Sequence, residues 1–412
     1  MQLLSAPAYI EAPFIIVKIG QYTFGSYSKK ESMRYGYRDV TFPNYMTSIN
    51  IVKVNGAVNT YTIRMVYSIT QFDDPNRIEQ VLSTISNTRK IKISYGDWNA
   101  PSFIFSEESA IITNVTTSMS ASNSQISYVI SATSDALYLN ASRNDFPKRT
   151  AKPSDVIFEL LRNKNYGLQD IFAGMRDLDK VESANLIPRD DRKVTIEAKK
   201  SVSTLDYLNY LVGCMVPINA NDKDNGLTNA THYLHVVDDT KNEFGGAYFK
   251  VTRVYSNTIN YDPSTTYELD VGFPGNNMVV AFNINNNDSW SILYDYAQEI
   301  NDKEMSYRIN DDGTIDASKE PDLARSRTLQ VSTQANKNWW TKVTSFPITA
   351  TVTIKGLLRP AILMSQVHVN VLFYGKKHIS SGLYIITRHE DQIDGSGYRT
   401  TLSLTRIGGD NP

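Results

Sequence analysis

Hydrophobic and polar residues alternate with a period of two along much of this chain, the spacing of strands with one buried and one wet face. The pattern is clearest toward the C-terminal end. Across residues 383–389, Leu383, Ile385 and Thr387 fall on one face and Tyr384, Ile386 and Arg388 on the other; across 398–407, Leu402 and Leu404 alternate with Thr401, Ser403 and Thr405. Between these runs Asp394-Gly395-Ser396-Gly397 supplies the glycines of a tight reversal, so the segment predicts a hairpin. Residues 356–364 and 367–371 read as a strand pair leading into it.

A second set of alternating runs occupies the N-terminal third, at 15–19, 48–54 and 61–67, with Asn55-Gly56 as the bend between the last two. Asp73-Asp74-Pro75 then opens a helix: Asp74 is a suitable cap, Pro75 suits the first helical position, and Ile78, Val81, Leu82 and Ile85 follow at helical spacing. That predicts a helix packed on a barrel. Strands are expected again at 90–95 and 103–105, then a hairpin from 110–116 and 125–133 with Ile126, Tyr128, Ile130 and Ala132 on one face. The order of features matches the C-terminal hairpin, which suggests a duplicated module.

Between the two sets, residues 145–153 are polar and bracketed by Pro147 and Pro153, which reads as a linker. Ser154 is expected to cap a short helix with Ile157, Leu160 and Leu161 inward, ended by Gly167; a second helix starts at Ser203 with Leu205, Leu208, Leu211 and Val212 on one face. Strands at 193–198, 233–237 and 248–254 complete a mixed insertion, and 219–229 is a loop. Trp290, Leu293, Tyr294 and Ala297 suggest a helix after Ser289, and 310–316 a turn. A further helix over 334–343 carries Trp339 and Trp340, which either pack in the core or place at least one ring against a partner. The fold class is therefore α+β, mainly β: two tube-like β-barrel modules with packing helices, at 1–146 and 256–412, separated by a mixed α/β insertion at 147–255.

The Gly382-Leu383-Tyr384-Ile385 strand, His389 with acidic Glu390 and Asp391, and the return strand Gly397-Tyr398-Arg399-Thr400-Thr401-Leu402 resemble the C-terminal barrel of phage tail hub proteins. The likeness extends to the type VI secretion spike base and to the late control protein of Mu-like and P2-like tails, and it covers residues 335–408. It implies a structural homotrimer whose paired modules form a pseudo-sixfold ring, a symmetry adapter between a hexameric tail tube protein and a central spike or tip protein. The tape measure protein and baseplate wedge are further implied partners, with genome DNA passing through the lumen without specific binding. Residues 15–19 and 383–389 would then be edge strands paired between subunits, which removes open edges.

Composition narrows the alternatives. Lys plus Arg number 42 against 43 Asp plus Glu in 412 residues, a net charge of −1, so no global pull toward nucleic acid or anionic membrane is expected. The single cysteine, Cys214, excludes an intrachain disulfide framework and a cysteine-based zinc site, and reads as a small hydrophobe packed in a helix. No basic leader precedes an apolar core and no run reaches membrane-span length, so the chain is expected to be made and folded in a cytoplasm without a membrane anchor; the hub resemblance implies a final place in the virion, at the tail tip or baseplate.

Candidate chemistry is sparse. His232 and His235 fall on opposite faces of a strand rather than on one metal-binding face; residues 221–226 fail the calcium-loop pattern because Lys223 takes a ligand position and His232 stands where the closing Glu belongs. His389, Glu390 and Asp391 are consecutive or nearly so and no Gly-x-Ser-x-Gly occurs; Glu107-Glu108 and Asp190-Asp191 are acidic pairs with no set separation. The expectation is a protein without catalytic residues, cofactor or metal. The alternatives are a tail-associated peptidoglycan hydrolase or, from the 25 Tyr and abundant Asn, a carbohydrate-binding tail module.

Overall fold

The period-two runs become strands, and the chain is mainly β. The computed structural model describes residues 13–26, 46–68, 75–87, 89–97, 104–120, 124–215, 230–240, 242–255, 266–273, 278–286, 348–355 and 363–409. The N-terminal set comprises β1 (Pro13–Ile19), β2 (Tyr22–Gly25), β3 (Met46–Val54), β4 (Thr60–Ser68), helix α1 (Pro75–Asn87), β5 (Lys90–Asp97), β6 (Ile104–Ser120) and β7 (Gln125–Ser134). Then follow α2 (Leu137–Ala141), β8 (Arg143–Phe146), β9 (Arg149–Ala151), α3 (Pro153–Arg162), α4 (Leu168–Ile171), α5 (Leu178–Ser183), β10 (Val194–Ile196), β11 (Lys199–Ser203), α6 (Thr204–Gly213), β12 (Ala230–Val237) and β13 (Tyr248–Tyr255). The C-terminal set is β14 (Tyr267–Val271), β15 (Val279–Asn286), β16 (Ile348–Ile354), β17 (Gln366–Phe373), β18 (Lys376–Lys377), β19 (Gly382–Asp394) and β20 (Gly397–Gly409).

The two sets form one 14-stranded sheet in the order β15-β16-β20-β19-β3-β4-β7-β6-β5-β1-β2, with β17 on β19 and β14 and β18 on β17. The sheet curls twice. At one end β1 packs back against β3, and at the other β14 packs against β15. The hinge of this arrangement is β19: residues 382–385 pair with β17, and residues 388–393 pair with β3 from Ile49 to Val54. A register shift between Ile386 and Arg388, a bulge opposite β20, lies at the changeover.

Three buried clusters follow. The first lies within the N-terminal curl, from Ile15, Ile49, Ile63, Ile93 and Ile130, with Val81 and Ile85 of α1 packed on it; Ile393 and Tyr398 of the C-terminal hairpin belong to it. The second lies in the C-terminal curl around Val352, Val369, Ile385, Leu402 and Leu404. The third holds the intervening residues, with Ile157, Leu160, Leu161, Leu205, Leu208 and Leu211 of α3 and α6 against Phe249 and Val251 of β13.

Several sequence expectations change. The polar stretch at 145–153 is not a linker: β8 pairs with β11 and β9 with β10, and Phe146 is buried against Tyr207, so backbone hydrogen bonding and a buried ring order it. Residues 15–19 and 383–389 are not edges, since β1 lies between β5 and β2 and β19 has partners on both sides. Ser154 does not cap α3. Lys152 occupies the cap position without a side-chain bond and Pro153 follows it; the free amide of Ser154 is met by Asp191, 2.9 Å away and 37 residues on. Ser203 does cap α6, accepting from the Asp206 amide at 3.0 Å, and Gly167 takes a left-handed φ of 63° after the turn at 164–166. The expected helices at 290–297 and 334–343, the turn at 310–316, the loop at 219–229 and residues 356–362 lie outside the described residues; Leu363 and Met364 form a turn.

Candidate functional site

Among the described residues, a cluster of buried titratable side chains sits inside the N-terminal curl, near the mouth that faces α6 and β12. On β3 the inward parity of Ile49 and Ile51 continues to Lys53, and on β6 that of Ala110 and Ile112 reaches back to Glu108. Charges at inward positions of apolar strands must find each other. Lys53 Nζ, 13% exposed, bonds Glu108 Oε1, which is fully buried. Tyr61 donates to Glu108 Oε2 at 2.5 Å and Tyr95 to Oε1 at 3.1 Å.

A second carboxylate arrives from the intervening region. After β12 the chain pairs Asp239 with Glu108, and the Thr240 amide and hydroxyl donate to the Glu107 carbonyl at 2.9 and 2.8 Å. Asp238 is thereby buried, its Oδ2 accepting from Asn59 Nδ2 at 2.6 Å and lying 3.3 Å from the Tyr61 hydroxyl. Burial, then the charge of Glu108, pushes the Asp238 carboxyl up to about 7, against the pull of Lys53, Asn59 and Tyr61. Burial disfavours the Lys53 ammonium, but the Glu108 charge and hydrogen bond outweigh it and raise its pKa. Tyr61 and Tyr95 are held well above the usual phenol range by burial and then by Glu108.

A neighbouring network runs along β19 and β20. His389 and Asp391, two apart, share the inward face, whereas Glu390 points outward to Asn50 and Arg388. Asp391 lies 3.0 Å from His389 Nδ1 and accepts from Tyr398 and Thr400, each at 2.9 Å. Burial would raise its pKa, but His389 and these hydroxyls hold it below the usual range. The same mouth is fastened through the backbone. The Gly56 amide donates to the Leu234 carbonyl at 2.8 Å, and Asn209 Nδ2 of α6 donates to the Gly56 carbonyl at 2.7 Å.

The chemistry of these clusters is closed by burial: Glu108 is met by Lys53, Tyr61 and Tyr95, Asp238 by Asn59 and Tyr61, and Asp391 by His389, Tyr398 and Thr400, which suits a cross-link better than an encounter with substrate. The other candidates sit apart. His232 and His235 are buried on opposite faces of β12, burial taking both down to about 4. Asp190 forms a two-pronged pair with Arg253, and Asp191 holds Ser154, burial raising its carboxyl pKa. A cleft of about 480 Å³ between Arg189, Lys250 and Arg253 is balanced by Asp190, with Asp155 and Glu182 paired to Arg189. Among the described residues no three His, Cys, Asp or Glu side chains gather as a metal site, and no helix is long and apolar enough to cross a membrane. Sequence reasoning passed over Lys53 and Asp238, and weighed Glu108 only as half of an acidic pair. The usable signal was a charge at the inward parity of two apolar strands.

No protein-family model matches the chain, and no curated protein matches it. Solved structures do. The prophage MuSo2 43 kDa tail protein from Shewanella oneidensis is 12% identical, with 96% of this chain and 98% of that one covered at a TM-score of 0.50. The tail protein from Neisseria meningitidis MC58 is 10% identical, with 96% and 97% covered at 0.47. The E. coli c3393 protein, described as a component of the type VI secretion system, is 9% identical, with 89% and 76% covered at 0.43. The likeness to the Shewanella protein gives this chain the fold of a phage tail protein.

Proposed function

We propose that the protein is a structural hub of a phage tail tip or baseplate, a homotrimer in which the modules at 1–146 and 256–412 of each copy form a pseudo-sixfold ring. In this reading the ring joins a hexameric tail tube protein to a central spike or tip protein, contacts the tape measure protein and baseplate wedge, and lets the genome through its lumen. It is built in the host cytoplasm and ends in the virion. The insertion at 147–255 is clamped to the first module by Asp238, Gly56 and Asn209 and serves as a bracket rather than a catalytic domain.

The observation that carries this reading is the double curl of one sheet in a chain with a phage tail protein's fold. Two barrel-like units per copy turn threefold into pseudo-sixfold symmetry, and head-to-tail contacts between copies can close into a ring. The buried state of Glu108, Asp238 and Asp391 speaks against a hydrolase using them. The test is the solution mass of the purified chain by light scattering, with electron micrographs of the same peak. A mass near three times 46.4 kDa and a ring with a central hole are expected. A monomer that releases peptidoglycan fragments would overturn the reading.

A further inference from the structure

The hairpin between β17 and β18 breaks two local rules at once. Tyr374 and Gly375 form its two-residue turn at φ 49° and 74°, a left-handed pair in which Asn or Gly is easy and tyrosine is strained. The tip is also apolar and in water: Phe373 is 63% exposed, Tyr374 93% and Ile379 82%. It is held in shape all the same. Phe373 and Tyr374 meet edge to face with ring centroids 4.7 Å apart, the His378 amide donates to the Val371 carbonyl at 2.8 Å, and the Val371 amide donates to Ser381 Oγ at 2.9 Å. Three large apolar side chains on a preformed turn lose little freedom when they leave water.

The charge around the tip decides what receives it. Lys376 and Lys377 follow the turn and are both exposed, Lys376 opposite Phe373 and Lys377 opposite Leu372. No Asp or Glu occurs from 363 to 389 in a chain whose net charge is −1, so the hairpin is a local cationic spot on a nearly neutral protein. On the neighbouring β14, Asp270 lies opposite Asn370, toward the base of the hairpin, and accepts from it at 3.0 Å. Protein interfaces enrich aromatic residues and arginine but deplete lysine, whose compact ammonium holds its water strongly. An anionic bilayer takes both halves of this tip: aromatic rings settle at the headgroup boundary, and lysine reaches the headgroup phosphates on a flexible stem while staying hydrated. A fluid surface also needs no matching socket.

We infer that the β17–β18 hairpin is a peripheral membrane contact, in which Phe373, Tyr374 and Ile379 enter the headgroup boundary of a bilayer containing anionic phospholipid and Lys376 and Lys377 bind its phosphates. The two lysines and the apolar tip act together, as a reversible contact requires when neither signal alone holds a protein to a membrane. This is a touch on the bilayer surface and not a span. It needs one copy of the chain and stands whether or not copies close into a ring.

The experiment is flotation of the full chain with vesicles of phosphatidylcholine, either alone or mixed with equal parts phosphatidylglycerol. The wild-type protein is expected to float with the mixed vesicles and not with phosphatidylcholine alone. Phe373→Ser/Tyr374→Asn/Ile379→Ser should weaken that binding by roughly tenfold or more, with an unchanged circular dichroism spectrum because Asn suits the left-handed turn. Lys376→Gln/Lys377→Gln should weaken it roughly thirtyfold, at about 1 kcal/mol for each lysine near the surface. Tyr374→Trp should shift its emission to the blue on the mixed vesicles and be quenched by brominated lipid chains beyond the signal of the four native tryptophans. Wild-type protein that floats with neither vesicle overturns the inference. Binding that the apolar variant leaves intact does so too, as does binding without added quenching in Tyr374→Trp. If the variants change the solution mass by light scattering while vesicle binding is unaltered, the hairpin is a contact between copies and the inference falls.

Discussion

Substituting Asp238 by Asn should make the protein more stable at high pH, although it alters a buried and hydrogen-bonded carboxylate. Asp238 reaches about 7 in the folded protein against an ordinary 3.8, because burial and the Glu108 charge both disfavour its ionised form. Between these values the folded protein holds a proton that the unfolded chain has released. Stability from this group is fully present below about pH 4, declines as pH rises, and is gone above the folded value. The difference is close to 3 units at about 1.4 kcal/mol each, so on the order of 4 kcal/mol. Asn cannot ionise, and its amide oxygen can still accept from Asn59. Urea unfolding of both proteins from pH 4 to 8, followed by far-ultraviolet circular dichroism, measures the effect. The two curves should meet near pH 4 and separate steadily, with the variant ahead at pH 8. A variant less stable than wild type at pH 8 would refute the reasoning, since it would mean that Lys53 holds Asp238 as an anion.

Lys53→Met leaves the buried Glu108 carboxylate without its lysine, and should cost about 3–5 kcal/mol; Lys53→Met/Glu108→Leu should recover much of that, giving a double-mutant coupling above ~2 kcal/mol in denaturant melts. Gly56→Ala places a Cβ 2.7 Å from Asn209 Oδ1 at a φ of +69°, whereas Gly167→Ala at +63° meets nothing within 4 Å. The first should therefore lower the melting temperature more than the second, whose cost is the backbone term of ~1 kcal/mol alone. Burial pushes the Cys214 thiol up to about 11, so a disulfide reagent at pH 8 should leave it unreacted in the native protein and label it fully in urea.

Which strands exist was legible in the sequence, and which strands meet was not. Period-two alternation over 383–407 is a statement about faces, and the hairpin it predicts is present as β19 and β20. Nothing in that alternation says that Gln392 lies opposite Asn50, because pairing partners 342 residues apart leave no local periodicity. Lys53, Glu108 and Asp238 come from three elements that only the folded chain assembles. His389 and Asp391 were visible as neighbours, and their two-residue spacing on a strand places both on one face; attention to consecutive residues hid this. The strands at 143–146 and 149–151 were hidden for a different reason, being short and polar enough that backbone bonding rather than side-chain pattern defines them.

The shared strand β19 makes the two curls indivisible. A fragment ending at residue 146 would lack Ile393 and Tyr398 from its own interior and would present β3 as a bare ladder of amides and carbonyls from Ile49 to Val54. A fragment beginning at 256 would keep β20 beside β19 but leave the other edge of β19 unpaired from Arg388 to Ile393. Dissection of this protein into soluble pieces therefore calls for grafting the 382–409 hairpin onto the N-terminal piece, as a transplanted part rather than a truncation.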